Sequence, residues 1–130
     1  MSKNIMVVDD DPDIRDTLAV MLSLEGFVVR TASNRDDALS MLWLTPPDCI
    51  LLDIRMTGMK LETFIAKVCE VTPRPCIILM TAYFKVDEKA RQLKLHNSLQ
   101  KPFTYKDVME ALARCFDEEN GKDHHGNQMA

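Results

Sequence analysis

The chain places three carboxylates where they can act together. Asp9 and Asp10 directly follow the apolar run Ile5-Met6-Val7-Val8, and Asp53 directly follows Cys49-Ile50-Leu51-Leu52. Two further polar groups end runs in the same way: Thr81 after Cys76 to Met80, and Lys101 after Ser98-Leu99-Gln100. Three acids held close together repel one another and resist ionisation. A divalent cation removes that conflict, and an all-oxygen donor set without His or Cys favours Mg2+ or a similar hard ion. Lys101 adds a mobile positive charge, and Thr81 adds a hydroxyl. Cation, ammonium and hydroxyl together match the oxygens of a phosphoryl group. One of the carboxylates can then serve as the nucleophile that takes this group.

These residues meet only if the runs before them are neighbouring strands of one sheet. Continuous apolar runs suit strands buried on both faces, as in a parallel sheet. Between them the sequence reads as helix. Asp11-Pro12 supplies an N-cap and a first-turn proline. Ile14, Leu18, Met21 and Leu22 follow at helical spacing, and Gly26 closes that helix. Phe27 to Ala32 reads as the second strand. Asn34 caps a second helix with Ala38, Met41 and Leu42 in one stripe, ended by Pro46-Pro47. Phe64, Ile65, Val68 and Cys69 mark a third helix, and Val86, Ala90 and Leu93 a fourth. Thr104 with Asp107 forms a capping box for the last helix, whose apolar face is Val108, Ala111, Leu112, Cys115 and Phe116. Strand then helix, five times over, predicts an α/β fold with a parallel sheet and helices on both faces. Right-handed crossovers constrain its winding. Sites in such sheets form at the carboxyl ends of the strands, so Asp9, Asp10, Asp53, Thr81 and Lys101 are expected in one crevice.

Composition bounds the rest. A length of 130 residues suits one domain. The polar stretch from Asn120 to Ala130, with two glycines, is expected to be a disordered tail after a domain of residues 1–119. No apolar run is long enough to cross a membrane, and the first run is too short for a signal-peptide core. A cytoplasmic protein without membrane contact is the expectation. The net charge is −4, of which −3 falls from Asp117 onward, leaving −1 for the domain. That balance lacks the basic excess of a direct nucleic-acid binder. The four cysteines, Cys49, Cys69, Cys76 and Cys115, have no CxxC spacing and lie in apolar segments. They read as reduced core residues, neither disulfides nor zinc ligands, as a reducing compartment would favour.

Val7-Val8-Asp9-Asp10-Asp11-Pro12, Leu51-Leu52-Asp53-Ile54-Arg55-Met56, Met80-Thr81-Ala82 and Lys101-Pro102-Phe103 stand in order on matching strands. Together they resemble the receiver domain of two-component response regulators, over about residues 3 to 118. The resemblance implies a doubly wound, flavodoxin-like fold with five parallel strands in the order 2-1-3-4-5. It implies a phosphoacceptor rather than an enzyme with its own substrate, one that assists its own phosphorylation and dephosphorylation. Asp53 would take phosphate from a sensor histidine kinase or a histidine phosphotransfer protein. Asp10, Asp53 and the carbonyl of Arg55 would hold Mg2+, with Asp9 assisting through water. Thr81, Lys101 and the amides of Arg55 and Ala82 would contact the phosphoryl group, and the Lys101-Pro102 peptide would be cis. The face made by the fourth helix, fifth strand and fifth helix would then change its partners, a population shift with phosphate as the differential ligand. Those partners would be a downstream protein, a covalently attached output domain, or a second copy in a phosphorylation-dependent dimer. Some positions depart from the family pattern. Ser98 stands where an aromatic is common, three before Lys101, and the segment from Thr81 to Lys101 is about two residues short. Thr57 replaces a common Pro, and Lys60-Leu61 a common Asp-Gly. The five reactive positions are intact.

Each feature has a plainer reading. Asp9-Asp10 alone would serve a helix dipole, Thr81 alone would be structural, and Lys101-Pro102 alone would be a turn. Their coincidence at strand ends favours the site. Met6, Met21, Met41, Met80 and Met109 read as core filler, His96 as an exposed loop residue, and His124-His125 as part of a solvated tail. Trp43, four residues after Leu39, reads as packing and not as a neighbour of Asp53, so Mg2+ should leave its fluorescence little changed. Arg55 and Tyr83 would flank Asp53 and screen an acyl phosphate from water. Two other functions compete. The Asp9-Asp10-Asp11 run contains the Asp-x-Asp of Mg2+-dependent haloacid dehalogenase-type phosphohydrolases, although the further acidic pair and the cap are missing. The departure at Ser98 motivates a phosphate-independent interaction domain.

Overall fold

Strand β1 spans Asn4–Val8, α1 Pro12–Leu24, β2 Val28–Ala32, α2 Arg35–Leu44, β3 Cys49–Asp53, α3 Leu61–Val68, β4 Cys76–Thr81 and β5 Asn97–Gln100. A C-terminal helix follows over Tyr105–Met129. The computed structural model describes residues 2–82 and 97–129, with side chains in the last helix described as far as Asp117. The expected fourth helix, with Val86, Ala90 and Leu93, lies outside the described residues, as do Tyr83 and His96.

The strands form one parallel sheet in the order β2-β1-β3-β4-β5. This is the doubly wound order that the family resemblance implied. Alternation along each strand sends side chains to opposite faces. Met6, Val8, Ile50, Leu52, Ile77 and Leu79 therefore pack with Ala38 and Leu42 of α2 and Phe64, Ile65 and Val68 of α3. Ile5, Val7, Leu51, Ile78 and Met80 pack on the other face with Leu18 and Leu22 of α1 and Val108, Ala111 and Leu112 of the C-terminal helix. Met6 and Met80 are fully buried, while Met21, Met41 and Met109 pack at the margins of these cores.

The local signals act as their chemistry requires. The Asp11 side chain accepts from the Asp13 amide, with Pro12 opening α1. Asn34 Oδ1 accepts from the Asp37 amide at 2.7 Å. Gly26 takes φ +93° where α1 ends, a region closed to most side chains. Thr104 and Asp107 exchange bonds of 2.9 and 3.1 Å as a capping box.

Three expectations are corrected. The C-terminal helix continues through Met129 instead of ending before a disordered tail at Asn120. No proline interrupts the segment, and each glycine costs a helix only about 1 kcal/mol. Trp43 is 53% exposed, because it lies off the stripe formed by Ala38 and Leu42. The cysteines are not all reduced core residues. Cys76 and Cys115 are joined as a disulfide, and Cys69, just past the end of α3, is exposed. The apolar patterning that marked Cys76 and Cys115 as core also aims their sulfurs at each other across the β4–helix interface. Local spacing carries no trace of that long-range pairing.

Candidate functional site

Register explains why the reactive residues meet. Val8 stands opposite Leu52, so Asp9 and Asp53 leave adjacent strands together. Asp53 pairs with Met80, which sets Thr81 one residue beyond it. Thr81 pairs with Gln100, and the Lys101 amide donates to the Thr81 carbonyl at 2.8 Å. The carboxyl ends of four strands thus form one edge, where ligands bind in open α/β sheets.

Carboxylate oxygens of Asp9, Asp10 and Asp53 all lie within 4.8 Å of one another. Asp9 is fully buried, Asp53 is 4% exposed, and Asp10 opens to solvent. Lys101 Nζ sits 2.7 Å from Asp9 Oδ2 and 3.5 Å from Asp53 Oδ1. The other oxygen of Asp9 accepts from the Asp11 amide at 2.9 Å. Arg15 Nη1 donates to the Asp9 carbonyl at 2.7 Å, fixing the start of the β1–α1 loop. The Thr81 side chain is buried at the same edge. Arg55 is exposed, with its amide donating to Asp53, and Ala82 is exposed just past β4. The Lys101–Pro102 peptide is cis.

Burial raises the Asp53 pKa above the ordinary carboxylate value, and the Asp9 charge raises it further. Lys101 and the Arg55 amide offset part of that shift. Burial alone would lower the Lys101 pKa, but its bond to Asp9 and the charges of Asp53 and Asp9 outweigh burial and raise it. The edge therefore combines crowded anions with one lysine ammonium, an arrangement suited to a hard cation and a phosphoryl group.

One residue of the site escaped the sequence reading. Arg35, the first residue of α2, is 2% exposed. Its Nη1 donates to the Met59 carbonyl at 2.8 Å, and its Nη2 to the carbonyls of Asp53 at 3.1 Å and Ile54 at 2.8 Å. It therefore clamps both ends of the loop that follows Asp53. Burial lowers its pKa, while Asp53 and Glu62 support its charge. In the sequence it stands among Ser33-Asn34-Arg35-Asp36-Asp37 and reads as a solvated helix start.

Residues 5–113 match the family model described as "Response regulator receiver domain". The chain belongs to the response regulator receiver domain family. This receiver domain is 36% identical over 115 residues to the positive alginate biosynthesis regulatory protein of Pseudomonas aeruginosa, covering 86% of the chain and 46% of that protein. It is 36% identical over 112 residues to the DNA-binding transcriptional regulator NtrC of Proteus hauseri, covering 85% of the chain and 23% of that protein. The receiver domain thus spans about half the length of the first relative and under a quarter of the second. In fold it is similar to the chemotaxis protein CheY4 of Vibrio cholerae, with a TM-score of 0.79 and 24% identity, over 88% of this chain and 99% of that one. Among the described residues, no helix is long and apolar enough to cross a membrane.

Proposed function

We propose that Asp53 is the phosphoacceptor of a cytoplasmic two-component signalling module. The observation that carries this reading is the meeting of three carboxylates with the Lys101 ammonium at the carboxyl edge of the sheet. An Asp53 oxygen attacks phosphorus, the bond to the donor's histidine nitrogen breaks, and an acyl phosphate forms. The donor is a sensor histidine kinase or a histidine phosphotransfer protein.

Asp10, Asp53 and the Arg55 carbonyl would hold Mg2+, with Asp9 behind them. A hard ion there supplies the positive charge that three crowded acids and a phosphoryl group both require. Lys101 balances negative charge on the phosphoryl oxygens. The Thr81 hydroxyl and the amides of Arg55 and Ala82 donate to the same oxygens. Because Lys101 follows β5 directly, a shift of its ammonium from Asp9 toward phosphate pulls on the connection between β5 and the C-terminal helix. The surface around that helix then changes its partner, either a downstream protein or an attached output domain.

A phosphohydrolase with Asp9 as nucleophile fits less well. Both Asp9 oxygens are occupied, one by the Asp11 amide and one by Lys101.

Incubation with acetyl phosphate and Mg2+, followed by intact mass, tests the proposal. One phosphoryl adduct is expected, lost in Asp53→Ala. Absence of an adduct, together with equal partner binding by wild type and Asp53→Ala, would move the weight to a phosphate-independent interaction domain. Sustained turnover of a phosphate monoester, lost on changing Asp9 but kept on changing Asp53, would favour the hydrolase.

A further inference from the structure

The opposite edge of the sheet carries a second chemically distinct cluster. Cys49 opens β3 and Cys76 opens β4, and the two are register partners. Cys115 of the C-terminal helix is bonded to Cys76, with Cα atoms 6.1 Å apart, a separation that suits a disulfide. Cys49 Sγ lies 3.9 Å from Cys115 Sγ. The three sulfur atoms all fall within 4.8 Å of one another. Cys49 and Cys115 are buried, whereas Cys76 is half-buried at the start of its strand.

We propose that Cys76 and Cys115 form a reversible redox site that fastens the C-terminal helix to β4, with Cys49 as an exchanging third thiol. Placement assigns the roles. Cys76 is the least buried of the three residues, so a peroxide is expected to attack there first. The Cys76 thiolate takes one peroxide oxygen, the O–O bond breaks, and water leaves after protonation, giving a sulfenic acid. Cys115 then attacks the Cys76 sulfur, the S–S bond forms, and the S–O bond breaks with loss of a second water. Two thiols lose two electrons and one peroxide becomes two waters. Exchange needs no further oxidant. The Cys49 thiolate attacks Cys115 Sγ, a Cys49–Cys115 bond forms, and Cys76 leaves as a thiolate. The cluster suits sulfur redox chemistry better than structural zinc, which takes four ligands. Among the described residues, these three sulfurs gather without a fourth His, Cys, Asp or Glu.

The test uses the whole chain in a Cys69→Ser background, which removes the exposed thiol outside the cluster. The protein is reduced with dithiothreitol, treated with hydrogen peroxide, alkylated and mapped by mass spectrometry without reduction. The expected product has lost two hydrogens, retains one alkylatable cysteine, and yields a linked peptide containing Cys76 and Cys115. Dithiothreitol should restore three alkylatable cysteines. In Cys76→Ser the link should move to Cys49–Cys115. The urea midpoint of the oxidised protein should exceed that of the reduced protein, and Cys115→Ser should abolish the difference. Asp53→Ala should leave all of this unchanged, which separates the proposal from the phosphoacceptor reading. Three alkylatable cysteines after peroxide, or equal midpoints for linked and reduced protein, would overturn it. If Cys76→Ser fails to fold, peptide mapping in the Cys69→Ser background still decides the main bond.

Discussion

Asp53 lies where burial and the Asp9 charge oppose its ionisation, so its folded-state pKa is raised. The native state then holds the Asp53 proton more tightly than the unfolded chain does. Stability falls as pH rises from the ordinary carboxylate range through the raised value. At neutral pH the ionised group is a continuing cost. Asp53→Asn should therefore raise the urea midpoint at pH 7. The gain should shrink on acidification, as the native aspartic acid becomes neutral itself. Urea titrations of both proteins across the acidic range check this. A gain that grows toward low pH would contradict the assignment. The Lys101 shift is also upward, so stability again falls with rising pH, but in the alkaline range, and at neutral pH its ionised form is the stabilising one. Its raised pKa means that its contribution persists below the usual lysine value and is lost only as pH climbs through the raised one. The acids were legible in the sequence because each ends an apolar run, a local signal. Buried Asn97 was not, although its side-chain nitrogen donates to the Ala111 carbonyl at 2.8 Å and its oxygen accepts from Arg114. An asparagine beside His96 in a polar stretch gives no sign that it ties β5 to a helix.

At the scale of elements, helix ends were the easiest features to read. Asp11-Pro12, Asn34 and Thr104 with Asp107 satisfy orphan amides within three residues of themselves, so the chemistry is written locally. Arg35 shows the limit of that reading. It is sequence-adjacent to a cap, yet its partners are the carbonyls of Asp53, Ile54 and Met59, some 18 to 24 residues away. A charged residue near a helix start usually faces water, and only the meeting of α2 with the β3–α3 loop makes this one internal. Arg35→Met keeps most of the volume and removes every donor. Loss of these bonds leaves carbonyls without their partner, and unfolding free energy should fall by about 3 kcal/mol. Phosphorylation by acetyl phosphate should also slow, because the loop that presents the Arg55 amide loses its clamp. Arg35→Lys should recover part of the rate. Urea unfolding and the mass-resolved rate check the two effects separately, and an unchanged rate would restrict Arg35 to stability.

For the whole molecule, strand–helix alternation marked the parallel α/β class, while the order of the strands came from the family resemblance. What the order adds is location. Reactive groups collect at the carboxyl edge, while Trp43 sits exposed near the far end of α2. A ligand that binds the folded state alone raises its stability by mass action. Mg2+ at ten times its dissociation constant should therefore add about 1.4 kcal/mol to unfolding free energy. Asp10→Ala should remove that gain, and tryptophan fluorescence of the native protein should stay nearly constant through the titration. Thermal unfolding with and without Mg2+, read beside the emission spectrum, tests both. A strong saturable quench would place the ion near the indole instead. The cysteine pairing was the other whole-molecule property that the sequence did not display, since residues 39 positions apart become neighbours only after the C-terminal helix docks.

The clamp formed by Arg35 also gives the loop after Asp53 one side held more firmly than the other. Toward α2, the loop backbone is pinned at three carbonyls by one planar group. Toward β5, the edge rests on the last strand of the sheet, paired with β4 and tied to the C-terminal helix through Asn97, with the Lys101 amide holding the Thr81 carbonyl. A load applied at Asp53 is divided according to stiffness, so displacement flows away from the guanidinium and toward the sheet margin. Phosphorylation of Asp53, as proposed, would then be expected to displace β5 and the helix that follows it more than the end of the loop held by Arg35.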